Sequence, residues 1–236
     1  MKIAVFCYNF EHYKSHLGLQ NLLYHEYRPD LVLAANKVDL NFYKSKIRIS
    51  PKDLFIHHPR DICSRYNLKY HVVQHNSNDT EDLIRENEID LGIILGSRIL
   101  KKNIIDSFNV GVINLHPGIL PENRGLDTIK WAIIKKLKHG VTSHLVDSNI
   151  DRGRLLDIQT IEIYKDDTLL DLYMRILNKE QCMLIESLKE IENNFDINSL
   201  KFLSNGKNYH RSLPEALESD LFSAFKEYKK QFAKGD

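Results

Sequence analysis

Short apolar runs separated by stretches of helical period recur along this chain, and that alternation constrains the fold more than any other feature. KIAVFCY near the start, DLVLAA after Pro29, KYHVV, DLGIILG and GVINLH are each too short for a core helix and too uniformly apolar for a strand with one wet face. They read as buried strands. Between them, residues 15–26 place Leu17, Leu19, Leu22, Leu23 and Tyr24 at helical positions, and DTEDLIRENE reads as a helix capped by Asp79 with Glu81 and Asp82 in its first turn. A helix over 127–137, a strand GVTSHLVD and a longer strand RLLDIQTIEI come next. Strands alternating with helices predict an α/β fold around a mainly parallel sheet.

The stretch from Asn36 to Asp61 mixes Lys37, Lys44, Lys46 and Arg48 with Pro51 and Pro59 and keeps no period, so it reads as an irregular insertion whose cations are solvated. A long helix is expected from about Thr168 to Asn193. Leu169, Leu172, Tyr173, Ile176, Leu177, Leu184, Leu188 and Ile191 share one face of it, and Thr168 with Asp171 has the spacing of a capping box. Asn193, Asn194 and Asp196 end the helix. The remaining residues are too few for a core of their own, which predicts one domain over 1–195 and an extension over 196–236.

Composition narrows the function classes. Lys and Arg number 33 against 32 Asp and Glu, a formal net charge of +1, so neither nucleic acid nor an anionic membrane is an expected partner. Three widely spaced cysteines, Cys7, Cys63 and Cys182, support neither a disulfide framework nor a paired-cysteine zinc site, and no metal is expected. The opening apolar run is too short for a signal peptide, and no run approaches the roughly 20 residues of a membrane span. A reducing, cytoplasmic location is the expectation.

Seven of the ten glycines fall between Gly92 and Gly153, which suggests loops shaped around something. In GVINLHPGILPENRG, Asn114 and His116 are two apart at the end of a strand, so their side chains leave on one face. Pro117 then turns the chain into a loop at the carboxyl end of the sheet, where open α/β folds bind ligands. Further on, SNIDRGR puts Asp151 in a loop returning to the same sheet. An amide, an imidazole and a carboxylate suit acyl transfer to an amine: the amide and imidazole can donate to a developing oxyanion, and the carboxylate can orient the imidazole and help move protons. Cys7 and Ser97 have no evident activating partner, so a covalent nucleophile has weaker support.

NLHPGILPENRG followed by GVTSHLVDSNIDRG closely resembles the catalytic domain of formyltransferases that use 10-formyltetrahydrofolate. The resemblance extends over most of residues 1–190 and implies that family's Rossmann-like fold with a mainly parallel sheet. It also implies Asn114, His116 and Asp151 as the catalytic trio. His144, in the Thr-x-His strand, is open to either a structural or a direct role. GSRIL resembles the folate-binding strand end, where main-chain groups near Arg98, Ile99 and Leu100 meet the pterin, and the loop from Asp147 to Gly153 would form the opposite wall.

The resemblance leaves the acceptor open. The branch acting on glycinamide ribonucleotide has a Gly-rich phosphate loop after its first strand, whereas CYNFEHYKSH has no glycine before Gly18. The methionyl-tRNA branch carries a larger carboxyl-terminal domain, and the formyl-folate hydrolases an additional amino-terminal one. The chain looks most like bacterial sugar N-formyltransferases, which implies a nucleotide-linked deoxyamino sugar as acceptor, with dTDP-4-amino-4,6-dideoxyglucose the first choice and surface polysaccharide (O-antigen) as the destination. Candidate acceptor contacts are Tyr8, Asn9, His12, Lys14, Asn123 and Arg124, each equally at home on a plain surface, and His57 and His58 are weaker candidates. Rival readings are another amine acceptor, a formyl-folate hydrolase, and a non-catalytic nucleotide or folate sensor. A homodimer using Ile158, Ile161, Ile163, Phe222 or Phe225 is compatible with any of them, although core packing would use the same residues.

Overall fold

The computed structural model describes residues 1–38, 45–47, 51–148, 151–193, 196–204 and 209–234. In chain order the elements are β1 (Ile3–Tyr8), α1 (Tyr13–Tyr24), β2 (Leu31–Ala35), α2 (Pro59–Arg65), β3 (Tyr70–Val72), α3 (Asn78–Glu86), β4 (Leu91–Ile94), α4 (Lys102–Ile105) and β5 (Gly111–His116). After these come β6 (Arg124–Gly125), α5 (Thr128–Lys135), β7 (Gly140–Val146), β8 (Gly153–Thr160), α6 (Leu169–Glu192), β9 (Tyr209–His210), α7 (Glu215–Glu218) and α8 (Leu221–Phe232). Seven strands form the main sheet in the order β3-β2-β1-β4-β5-β7-β8. The first five are parallel, while β7 and β8 are antiparallel to their neighbours. This is a Rossmann-like α/β fold, and its strand order reverses between β1 and β4, where the crossovers diverge and leave a crevice at the carboxyl ends.

The uniformly apolar runs are explained by burial on both faces. Alternate residues of β1 enter opposite cores: Ile3, Val5 and Cys7 pack with α1 and α6, and Ala4 and Phe6 with Ile84 of α3 and Ile104 of α4. The long amphipathic helix closes the first face as expected, capped by reciprocal hydrogen bonds between Thr168 and Asp171.

Several local expectations are corrected. The cap of α3 is Ser77, whose hydroxyl accepts from the Thr80 N–H, and Asp79 sits inside the first turn. The stretch read as irregular up to Asp61 contains the start of α2, with Pro59 in its first turn and the His58 imidazole accepting from Arg60 N–H; Lys44 and Arg48 lie outside the described residues. The strand expected to reach Ile163 ends at Thr160, though Ile163 still bridges to Ala233.

The carboxyl-terminal segment is folded onto the main unit. Leu221, Phe225 and Tyr228 of α8 are buried in the larger core, together with Ile161 and Ile163, so these isoleucines and Phe225 are committed to packing and not to a dimer face. Phe222 is exposed. The segment also lies along β8, where Leu155 N–H donates to Lys201 O at 2.9 Å and Leu203 N–H to Gly153 O at 2.8 Å, and beyond the strand Lys234 N–H donates to Ile163 O at 2.9 Å. A buried ion pair fixes it to α5, with Lys130 Nζ 3.1 Å from Glu218 Oε1. Glu218 Oε2 accepts from the Lys46 N–H at 2.9 Å, bringing in the insertion as well.

Candidate functional site

The crevice at the strand reversal holds a cavity of about 710 Å³, bordered by the ends of β1, β4 and β5 and by the loops after β4 and β7. Its lining includes Tyr8, Arg98, Ile99, Leu100, Asn114, Asp147 and Asp151. Seven of the sequence-predicted residues therefore meet at one place. The loop after β4 is pinned by Asn76, whose amide donates to Ile99 O at 2.9 Å and whose Oδ1 accepts from Lys101 N–H at 2.7 Å. Tyr8 donates its hydroxyl to Ser97 O at 3.0 Å.

β7 starts beside the end of β5, with Thr142 opposite His116 and His144 opposite Asn114. Cross-strand partners share a face of a sheet, which puts the second histidine next to the amide. His144 Nδ1 is 3.2 Å from Arg152 O, an acceptor, so Nδ1 carries the proton and Nε2 accepts from Asn114 Nδ2 at 3.2 Å. Burial, followed by repulsion from His116, lowers the His144 pKa to about 4 and keeps the ring neutral. One N–H of Asn114 is thereby fixed. The rest of its amide faces the cavity.

Running antiparallel to β5, β7 carries the chain away from His116, and the loop after it folds back. Asp151, at a positive φ of 48°, reaches His116 Nδ1 with Oδ1 at 3.3 Å. Asp151 Oδ2 accepts from Gly125 N–H at 2.6 Å. Burial pushes the Asp151 pKa upward, but hydrogen bonding and charge from His116, with the Gly125 N–H, more than offset it and hold the carboxyl below its ordinary value. His116 Nε2 is 2.7 Å from Asn123 O. Both partners of this ring are acceptors, so the two bonds coexist only when both ring nitrogens carry protons. With 4% of its side chain exposed, His116 meets Asp151 and not the open cavity. Asn114, not His116, is the member of this strand-end pair that lines the cavity.

Two glycines permit this packing. A Cβ on Gly118 would lie 2.7 Å from Asn123 O and 3.0 Å from His116 Nε2, blocking the ring's anchor. Gly125 has φ +100°, and a Cβ there would lie 2.1 Å from His210 O.

The remaining candidates are dispersed. Asn9 is bound to Asn36 and Tyr70. His12 caps α1, and burial followed by the Lys14 charge lowers its pKa to about 4. Lys14 donates to Leu115 O at 3.0 Å and to Glu180 at 2.8 Å. His12 and Lys14 border a separate cavity of about 420 Å³ with Pro117, Tyr173 and Glu180. Asn123 is 1% exposed and its amide holds Thr128 O, so it presents no side chain to a ligand, while Arg124 lies half-buried in β6. His57 lies tilted against His16 and edge-to-face against Phe55. Burial raises the pKa of both Cys7 and Cys63, leaving them poor nucleophiles. Sequence reading missed Leu126 and Tyr209, which also line the larger cavity. Tyr209 arrives through a two-residue strand pairing that no local pattern announces.

Among the described residues no helix is long and apolar enough to cross a membrane, and no group of three or more His, Cys, Asp or Glu side chains is placed to hold a metal ion. A family model described as formyl transferase matches residues 1–188. Methionyl-tRNA formyltransferase of Flavobacterium johnsoniae is 36% identical over 105 residues, which is 44% of this chain and 33% of that protein. Against the curated relatives compared, the chain spans 33–52% of their length. Among solved structures, glycinamide ribonucleotide transformylase 1 from Symbiobacterium toebii superposes with a TM-score of 0.64 at 17% identity, covering 86% of this chain and 95% of that one. A sugar N-formyltransferase from Shewanella sp. gives 0.58 at 21%, covering 95% and 88%. A formyltransferase from Anoxybacillus kamchatkensis, in complex with UDP-4,6-dideoxy-4-formamido-L-AltNAc and tetrahydrofolate, gives 0.51 at 22%, covering 69% and 84%.

Proposed function

The chain belongs to the formyl transferase family, and from that premise we propose that it moves a formyl group from 10-formyltetrahydrofolate to the amino group of a nucleotide-linked deoxyamino sugar. The observation that carries this reading is the pairing of the Asn114 amide and the Asp151 carboxylate on one cavity wall, each held from behind by a histidine. The cavity suits a folate: Ile94, Leu100, Ile105 and Val146 offer apolar walls to a flat ring, and the main chain from Ser97 to Leu100 offers polar edges. The folate supplies the formyl carbon.

In the proposed mechanism the neutral sugar amine attacks that carbon, a new C–N bond forms, and the bond to the folate nitrogen breaks. Asn114 donates its free N–H to the oxygen that gains charge. Asp151, ionised because His116 and Gly125 favour its anion, accepts the proton lost by the amine and delivers it to the departing nitrogen. His116 acts through Asp151. In this reading residues 1–195 form the catalytic unit and 196–236 an extension seated on it.

The sugar acceptor draws support from the absence of a glycine-rich turn between β1 and α1 and from the net charge of +1. dTDP-4-amino-4,6-dideoxyglucose is the first choice. Methionyl-tRNA is the second reading, prompted by the names of the curated relatives. The deciding experiment incubates the protein with 10-formyltetrahydrofolate and dTDP-, UDP- and GDP-linked amino sugars, with methionyl-tRNA in a parallel arm, and tracks the gain of one carbonyl by mass. Formylation of the tRNA alone would overturn the sugar reading. Asp151→Asn and His116→Asn should each lower turnover by about a hundredfold or more with the fold intact; near-normal turnover in both would remove their roles.

A further inference from the structure

Three large apolar side chains that water reaches freely, Ile99 (58% exposed), Leu126 (43%) and Tyr209 (46%), come from distant parts of the chain and converge on the rim of the cavity that holds Asn114 and Asp151. An exposed apolar rim around a polar reaction centre marks a surface meant to be covered. Ile99 and Leu126 stand on the loops that shape the cavity. Tyr209 belongs to the carboxyl-terminal segment, and several separate contacts fix it there.

β9 has two residues, far too few to hold itself in place. It pairs in parallel with β6, Arg124 opposite Tyr209 and Gly125 opposite His210. Leu126 N–H donates to His210 O at 2.9 Å. The indole of Trp131 stacks on the His210 ring at 4.8 Å and donates Nε1–H to Arg211 O at 2.7 Å. Asp127 Oδ2 accepts from Leu213 N–H at 2.9 Å. Each of these contacts holds the strand that presents Tyr209, and the same Gly125 that receives β9 donates to Asp151.

We propose that Tyr209 is a binding residue for the folate, its ring packing on the flat part of that molecule. The assignment rests on the formyl-transfer reading of the site. A flat heteroaromatic ligand suits the site because an aromatic side chain beside aliphatic walls offers dispersion and stacking to a planar ring at little cost in side-chain freedom.

The test titrates tetrahydrofolate by calorimetry into the full chain and into Tyr209→Val and Tyr209→Phe. Valine keeps a strand-forming residue and removes the ring. Trp131 is the only tryptophan in the chain, so its emission reports whether β9 is still seated, independently of any activity. The expected result is an affinity about tenfold weaker for Tyr209→Val, near-complete restoration in Tyr209→Phe, and unchanged emission in both. Affinity within about twofold of the unaltered chain in Tyr209→Val overturns the assignment. Weakened binding that comes only with altered Trp131 emission assigns Tyr209 a structural role and overturns it equally. Failure of the unaltered chain to bind tetrahydrofolate would instead sink the formyl-transfer reading on which the assignment stands.

Discussion

Replacing Gly125 by alanine should damage stability and turnover together, because one peptide unit serves both. The added methyl would sit 2.1 Å from His210 O and 2.9 Å from His210 N. These are backbone atoms, so no rotamer change relieves the contact. A φ of +100° adds a penalty of about 1–2 kcal/mol for an L side chain. Pushing β9 away breaks the bond from Leu126 N–H to His210 O, worth about 0.5–1.5 kcal/mol. The N–H of residue 125 must also swing from Asp151, and a hydrogen bond to a charged group contributes about 1.5–3 kcal/mol. The expected loss is about 3 kcal/mol or more, which for a chain of this size is a drop of about 6–12 °C in Tm. Urea titration monitored by Trp131 emission measures the first effect, and single-turnover formylation measures the second, expected to slow by at least about tenfold. A stability loss below about 1 kcal/mol with turnover within about threefold would show that β9 and Asp151 do not depend on this peptide.

The other expectations concern charge and support. Two buried histidines, His139 with its pKa lowered to about 3 by burial and His144 to about 4 by burial and then His116, start from an ordinary value of 6.5. Folded-state values below the unfolded ones mean that this stability is complete above about pH 6.5 and is lost as pH falls toward 4, with a slope approaching about 2.7 kcal/mol per pH unit for two protons; a flat urea-unfolding profile between about pH 7 and 5 would contradict it. His144→Leu should release the Asn114 amide and lower kcat about tenfold, with KM for the folate little changed, and a rise in KM alone would show that His144 lines the binding site instead. Lys130→Met removes one member of the buried pair with Glu218 and should cost about 3–5 kcal/mol, whereas Lys130→Met with Glu218→Leu should cost less than half of that; equal losses in a melting comparison would show that the ion pair is not what α5 and α7 share.

Much of this architecture is legible in the sequence because it depends on local rules. The doubly apolar strands, the Thr168–Asp171 cap and the Asn114–His116 spacing each arise from a period or a side chain acting on its own neighbourhood. Where local signals compete, the reading slips. Ser77 and Asp79 are both good caps, and burial of Thr80 favours the turn that starts at Ser77. α2 is hidden because a seven-residue helix behind Pro59 shows too little period. The antiparallel course of β7 has no signature in its own residues, since a strand buried on both faces looks the same in either direction. His116 facing inward, with Asn123 O on its far nitrogen, results from a loop closure between residues seven apart that only the folded chain reveals.

The way residues 201–203 lie along β8 bears on the fate of chains that lack them. Strand β8 ends the seven-stranded sheet, and its outer N–H and C=O groups are partly met by Lys201 and Leu203 of the segment that follows α6. Until that part is synthesised, or once a protease removes it, a long terminal strand offers open valences to any extended segment nearby. A nascent or clipped molecule lacking this segment would be drawn toward edge-to-edge aggregation, making its presence a matter of solubility.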